Sequence, residues 1–253
     1  MLLLRGETGL GRAGVEIEAE APEDIHHAYS VYYSRLADVF FGLVRQEKPR
    51  VLLEAGCGRG QLTIPLMRKL HKTTRLICVD SSRGPYVGWL DDLAGKIARL
   101  KLGERVRLIS TDVRKMDGVG SGSVDALVSN ELICDLTGPN QLERALKEFY
   151  RVLRPRGLMI HGEWSSWQER ISRGLTVKHS PAWNLEQLFA LLTQNGFHDI
   201  RAYHFDTTIR FGHDAAIEEL RTWGATAKLA EKRILADQES IRLPFEHILV
   251  SEK

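Results

Sequence analysis

The chain has 253 residues, 43% of them hydrophobic, enough for a substantial buried core in one large domain or two small ones. Lysine and arginine number 35 against 33 acidic residues, so the formal charge of +2 creates no global field directed at nucleic acid or an anionic membrane. The three cysteines, Cys57, Cys78 and Cys134, lie in or beside apolar runs without the CxxC or CxxH spacing of a zinc site, and suit reduced thiols in the cytoplasm.

At the amino end, "MLLL" meets Arg5, Gly6 and Glu7 at once, too short an apolar run for a secretory signal or a membrane span, so a cytoplasmic protein without membrane contact is expected. The stretch "LLLRGETGLGRAGVEIE" is open to three readings: a hairpin, an added sheet strand, or a contact with a second chain. A helix is expected from about Pro22, with Tyr29 and Tyr33 four apart on one face and Tyr32 beside them.

Five apolar runs follow, "RVLLEA" (50–55), "RLICVD" (75–80), "RVRLIST" (105–111), "SVDALVSN" (123–130) and "GLMIHGE" (157–163), alternating with segments of helical period. Runs apolar nearly throughout suit strands covered on both faces of a parallel sheet. Between the last two, Leu142, Ala145, Leu146, Phe149, Val152 and Leu153 recur at three- and four-residue steps, which predicts an amphipathic helix ended by "RPRG" (154–157). A further helix carries Leu185, Leu188, Phe189 and Leu192 to Asn195-Gly196, and two more strands are expected at 197–207 and 244–253.

Strand and helix in alternation predict an α/β fold: a doubly wound, mostly parallel seven-stranded sheet with helices on both faces and helical cap elements. One domain over 1–253 is expected. It divides into an amino-terminal cap (1–48), a cofactor-binding core (49–163), a loop (164–182) with Trp164, Trp167 and Trp183 close by, and a carboxyl-terminal half (183–253) with a mostly helical insert at 208–243. Ligands of such sheets lie beyond the carboxyl ends of the strands.

"VLLEAGCGRGQLT" (51–63) sets Gly56, Gly58 and Gly60 directly after the first of the five strands, where a turn without Cβ atoms admits a ligand to the backbone. A dinucleotide loop has GxGxxG spacing and holds a pyrophosphate, whereas here the spacing is GxGxG and acidic Glu54 precedes it. A cofactor with positive charge and no phosphate fits better, and S-adenosylmethionine has an ammonium and a sulfonium.

Residues 51–60 resemble the first motif of the class I S-adenosylmethionine-dependent methyltransferases, (V/L)-L-(D/E)-x-G-x-G-x-G, with Glu for the commoner Asp. The likeness continues in order through Asp80 at the end of the second of these strands, "TDV" (111–113), "SVDALVSNEL" (123–132) and "FYRVLRPRGLMI" (149–160). It implies that Glu54, Gly56, Cys57, Gly58 and Gly60 form the cofactor turn, and that Asp80 and Ser81 serve the ribose hydroxyls. It further implies that Asp112 and Val113 face the adenine, Asn130 and Glu131 line the sulfonium side, and Tyr33 closes over the methionine portion. S-adenosylhomocysteine is then the product.

Methyl transfer from a sulfonium is an in-line displacement that needs chiefly proximity and alignment, and a base only where the acceptor must lose a proton. His161, Glu131 and Glu163 stand at strand ends as candidates, His161 and Glu131 foremost, against the alternatives of a packed histidine and a helix-start charge. "NELI" (130–133) lacks the (D/N)-P-P-(Y/F) pattern of amino methylation on adenine or glutamine, and Cys134 in "LICDL" lacks the Pro or Thr partner of a cytosine nucleophile. "SNEL" offers Glu131 but no second glutamate for a guanidinium, and "GEWSS" lacks paired carboxylates for magnesium, so no metal is expected. A small-molecule acceptor methylated on O, N or S is the leading expectation. RNA or protein is the alternative, on the basic groups Arg68, Lys69, Lys72, Arg75 and Lys147, Arg151, Arg154, Arg156, and a non-catalytic cofactor-fold binding protein is the third.

Overall fold

The structure is a computed structural model that describes residues 15–136, 140–164, 185–205, 207–222 and 246–253. Nine strands are described: β1 (Glu16–Ala19), β2 (Val51–Ala55), β3 (Arg75–Asp80), β4 (Val106–Ser110), β5 (Val124–Asn130), β6 (Leu153–Trp164), β7 (His198–Phe205), β8 (Thr208–Phe211) and β9 (Glu246–Glu252). The helices are α1 (Asp24–Val44), α2 (Thr63–Lys69), α3 (Trp89–Arg99), α4 (Gln141–Val152), α5 (Leu185–Gln194) and α6 (His213–Thr222).

Seven strands form one sheet in the order β4-β3-β2-β5-β6-β9-β7. Every pair from β4 to β6 is parallel, and β9 runs antiparallel between β6 and β7. The mostly parallel seven-stranded sheet expected from the apolar runs is therefore present. Successive strand residues enter opposite cores, as a period of two requires. Leu52, Ala126, Val128, Ile160 and Val250 join the core under α1 and α2. Their neighbours Leu53, Leu127, Met159 and Leu249 join the core under α4 and α5. Neither face of the sheet is left wet, which is why these strands read as continuous apolar runs.

Helix α4 buries Leu142, Ala145, Leu146, Phe149 and Val152, the face its period predicts. It ends at Val152, and "RPRG", expected as a stop ahead of the strand, already belongs to β6. The chain is extended at Leu153 with φ −67 and ψ 138. A Cβ on Gly157 would lie 2.9 Å from the Arg154 carbonyl and 3.1 Å from that of Asp125, so β5 and β6 approach closely there.

The amino-terminal alternatives resolve, for residues 16–19, in favour of a strand. β1 pairs in parallel with β8 from Glu16–Thr208 to Ala19–Phe211 as a separate two-stranded sheet. Arg210 pairs with Glu18 across it at 2.8 Å. The insert expected to be mostly helical from 208 therefore begins as a strand, because Ile209 and Phe211 alternate inward beside α1 while Thr208 and Arg210 stay half-buried. Helix α6 follows, and 223–243 lie outside the described residues, as do Trp167 and Trp183, while Trp164 ends β6.

Asp125 fastens the amino-terminal ends of three strands. Its Oδ2 accepts the N–H groups of Arg50 and Val51, both at 2.8 Å, and its Oδ1 meets Arg154 Nε at 2.9 Å. Replacing Asp125 by Ala strands two amides and a guanidinium, and is expected to cost about 1.5–3 kcal/mol in urea unfolding with an unchanged m-value.

Candidate functional site

Beyond the carboxyl end of β2 the backbone turns through Gly56, Gly58 and Gly60 at φ 73, 49 and 82, left-handed values that a Cβ disfavours. Space is as restrictive as torsion. An added Cβ would lie 2.9 Å from Leu132 at Gly56, 3.0 Å from the Trp89 ring at Gly58, and 2.4 Å from Leu93 at Gly60. The turn is tied to the neighbouring strand, since Gly56 and Cys57 donate to the Val79 carbonyl at 2.8 and 3.2 Å.

Asp80, last in β3, completes the tie. Gly58 N–H donates to its Oδ2 and Ser82 N–H to its Oδ1, each at 2.8 Å. Ser81, expected beside the ribose, is half-buried, and it is Ser82 that serves the carboxylate. A carboxylate has about four acceptor positions, so two backbone donors leave Asp80 capacity for two hydroxyls.

On the other side of β2, strand β5 delivers Asn130 and Glu131. Asn130 Nδ2 donates to Glu131 Oε1 at 3.3 Å, and its Oδ1 is a buried acceptor that no donor reaches among the described residues. Glu131 has φ 50, its N–H donates to Gly162 O at 3.0 Å, and its carboxylate accepts the Tyr33 hydroxyl at 3.2 and 3.3 Å. Helix α1 thus brings Tyr33 to the strand ends. Behind it Tyr29 stacks on Tyr33 at 6.2 Å and donates to Glu219 of α6. Burial, foremost, and Glu219 push the Tyr29 hydroxyl well above its ordinary range.

His161 is fully buried, with Nδ1 2.8 Å from Ser129 Oγ and Nε2 3.1 Å from Glu163 Oε2. Both ring nitrogens are thus engaged inside the protein. Glu163 is buried as well and accepts the Cys134 N–H at 3.1 Å. The Cys134 thiol donates to the Glu131 carbonyl, and burial, then Glu163, pushes its pKa well up, which suits an inert thiol.

Glu54 lies behind the turn. Its carboxyl is buried beneath the glycine turn, accepts the Thr63 hydroxyl at 2.7 Å, and is pushed by burial to a pKa of about 8. At neutral pH it is mostly a neutral acid that anchors the first turn of α2 rather than a charge facing the crevice. Asp112 is held by the guanidinium of Arg114 and by its N–H, contacts that draw its pKa down, while Val113 beside it is buried. Cys57, likewise buried, sits against Cys78, and neither thiol is in a disulfide.

Several site residues carry no signal in periodicity or motif. Tyr86, in a short 3-10 turn after β3, donates to Asp135 Oδ1 at 3.0 Å in the corresponding turn after β5, spanning the strand between them. Trp89 packs over Gly58 with Arg59 4.3 Å above its ring, and Leu132 packs over Gly56. Only the two glycines that flank "PYV", Gly84 and Gly88, mark that turn in the sequence.

The lining suits an adenosyl cation. A turn without Cβ atoms at Gly56, Gly58 and Gly60, a carboxylate with spare acceptor capacity at Asp80, and the donor-less oxygen of Asn130 provide acceptors and room. Among the described residues, no group of three or more His, Cys, Asp or Glu side chains is gathered as a metal site requires.

Residues 52–157 match the family model described as "Methyltransferase domain". No curated protein matches the chain significantly. Solved structures share the fold at low identity. The 4+2 cyclase SpnF superposes with a TM-score of 0.65 at 18% identity, over 87% of this chain and 81% of its own. The YcgJ protein of Bacillus subtilis gives 0.63 at 16%, over 85% and 96%. Phosphoethanolamine N-methyltransferase 2 of Haemonchus contortus, solved with phosphomonomethylethanolamine and S-adenosylhomocysteine, gives 0.55 at 15%, over 81% and 48%.

The raised pKa of Glu54 predicts a pH dependence of stability. Between the ordinary carboxyl value of 4.5 and about 8, the folded state holds a proton that the unfolded state has lost. Stability attached to this group is therefore full below 4.5 and falls as pH rises toward 8, by on the order of a few kcal/mol. Urea unfolding from pH 5 to 9 is expected to show this slope in the wild type and a flatter one in Glu54→Gln.

Proposed function

We propose, from the methyltransferase-domain match over residues 52–157 and the class I S-adenosylmethionine-dependent methyltransferase fold of the chain, that this protein is an enzyme transferring a methyl group from S-adenosylmethionine to an O, N or S nucleophile of a small molecule. One observation carries the reading: the left-handed glycine turn is hydrogen-bonded through Gly58 to a strand-end carboxylate, Asp80, that keeps acceptor capacity for a ribose. S-adenosylmethionine, when bound, supplies an activated methyl group for in-line displacement.

The chain's own residues then bind and align. Asp80 accepts ribose hydroxyls, the glycine turn admits the thioether portion, and Asn130 lines the sulfonium side with its Oδ1. Asp112 and Val113 flank the adenine, with the Arg114 clamp fixing the Asp112 carboxylate. Tyr33 and Glu131 close the side under α1, where Glu131 is the carboxylate nearest a role in taking a proton from the acceptor. Proximity and exclusion of water supply most of the acceleration in such a transfer.

The basic groups offer little to a macromolecular acceptor. Five of the eight, Lys69, Lys147, Arg151, Arg154 and Arg156, pair with Asp38, Glu143, Glu148, Asp125 and Glu252, so acids are interspersed with these charges. A small molecule is favoured over RNA for that reason. No helix among the described residues is long and apolar enough to cross a membrane. The three thiols outside disulfides fit a reducing compartment, and we place the enzyme in the cytoplasm. A neighbour of the same fold is described as a cyclase, so fold alone does not assign methyl transfer, and activity has to be measured.

Saturating S-adenosylmethionine or S-adenosylhomocysteine is expected to raise the unfolding temperature by roughly 5–10 °C at a hundredfold excess over Kd, and NAD to leave it unchanged. An equal response to all three ligands, or none, refutes the assignment. Asp80→Ala is expected to weaken S-adenosylhomocysteine binding by about 1–3 kcal/mol in calorimetry. Labelled methyl donor, incubated with the enzyme and a cell extract, is expected to mark the metabolite fraction, and label confined to RNA or protein would reverse the acceptor class.

A further inference from the structure

We infer that His161 and Glu163 are positioning residues for the 131–135 turn that roofs the glycine loop, and take no part as acid or base in the transfer. This rests on the methyltransferase reading for its consequence on cofactor binding, and on geometry alone for the rest.

Strand β6 presents His161 and Glu163 two residues apart, so both side chains leave the same face, while Gly162 between them contributes only backbone. His161 is in register with Ser129 across the β5–β6 pair. A carboxylate accepts only, so His161 carries its proton on Nε2, donates to Glu163, and accepts the Ser129 hydroxyl's hydrogen bond on Nδ1. With both nitrogens used and the ring fully buried, His161 has no lone pair to offer an acceptor.

What the relay holds is the turn after β5. Gly162 O takes the Glu131 N–H at 3.0 Å, and Glu163 Oε2 takes the Cys134 N–H at 3.1 Å, so β6 grips both ends of this short segment. Glu131 is held at φ 50, a conformation that costs energy for any residue with a Cβ and persists only where its surroundings impose it. Within that segment, Leu132 covers Gly56 and Asp135 receives the Tyr86 hydroxyl. The height of the roof over the cofactor turn is therefore set by whether Glu163 stays aimed at Cys134. His161 aims it.

Two substitutions separate this role from packing. Gln carries its amide nitrogen near the place of the histidine Nε2, whereas Asn reaches only the place of Nδ1. On the full chain, His161→Gln is expected to keep Glu163 oriented, with amide hydrogen exchange over 131–136 and S-adenosylhomocysteine affinity both within about twofold of wild type. His161→Asn is expected to speed exchange in that peptide about tenfold and weaken S-adenosylhomocysteine about tenfold. Equal effects in the two variants, or unchanged exchange in His161→Asn, overturn the inference. A wild type that binds no S-adenosylhomocysteine refutes the methyltransferase reading instead, and the exchange comparison still decides the positioning role.

Discussion

The contact on which the site depends is the one between Asp80 and the amide of Gly58. It fastens the loop after β2 to the end of β3, and it works only because three left-handed glycines let the loop fold back on the strand ends with its amides turned inward. The Val79 carbonyl reinforces it by taking Gly56 and Cys57. Backbone hydrogen bonds that span adjacent parallel strands are rigid, so the loop is shaped before any ligand arrives, and little ordering entropy remains to be lost on binding.

Acidic residues crowd this end of the sheet, yet they do different physical work. Glu54 is withdrawn beneath the loop and neutralised by burial, serving α2 through Thr63. Asp112 is neutralised by Arg114 instead, and Glu163 is spent on Cys134 and His161. Asp80, Glu131 and Asp135 are carboxylates bound by groups at the crevice itself, backbone amides for the first and the Tyr33 and Tyr86 hydroxyls for the other two. Charge at the site is thus selected by burial and pairing rather than by the number of acidic residues in the sequence.

The caps follow the same economy. Helix α1 covers one face of the sheet with Tyr32, Leu36 and Phe40 and reaches the strand ends with Tyr33, so a single amphipathic element both completes a core and closes a site. Its partner sheet, β1 with β8, forms beside it because Ile209 and Phe211 alternate inward, and Gly212 donates its N–H to the Ala19 carbonyl where a Cβ would lie 2.6 Å from the Glu20 carbonyl.

The sequence by itself determined the elements that local pattern encodes. The apolar runs became the strands of the main sheet, the period of Leu142 to Val152 became the buried face of α4, and the spacing of three glycines before Asp80 located the left-handed turn after β2, because strand burial, helical period and left-handed torsion are each written in a few neighbouring residues. Tertiary structure alone decided which polar groups meet. Tyr86 with Asp135, His161 with Ser129, Tyr33 with Glu131 and β1 with β8 are encounters between segments 32 to 192 residues apart, whose pairing no local pattern records. The direction of Glu54, an acid that reads as a charge and folds as a neutral hydrogen-bond partner, was likewise decided by burial, a property of the assembled core and not of the residue.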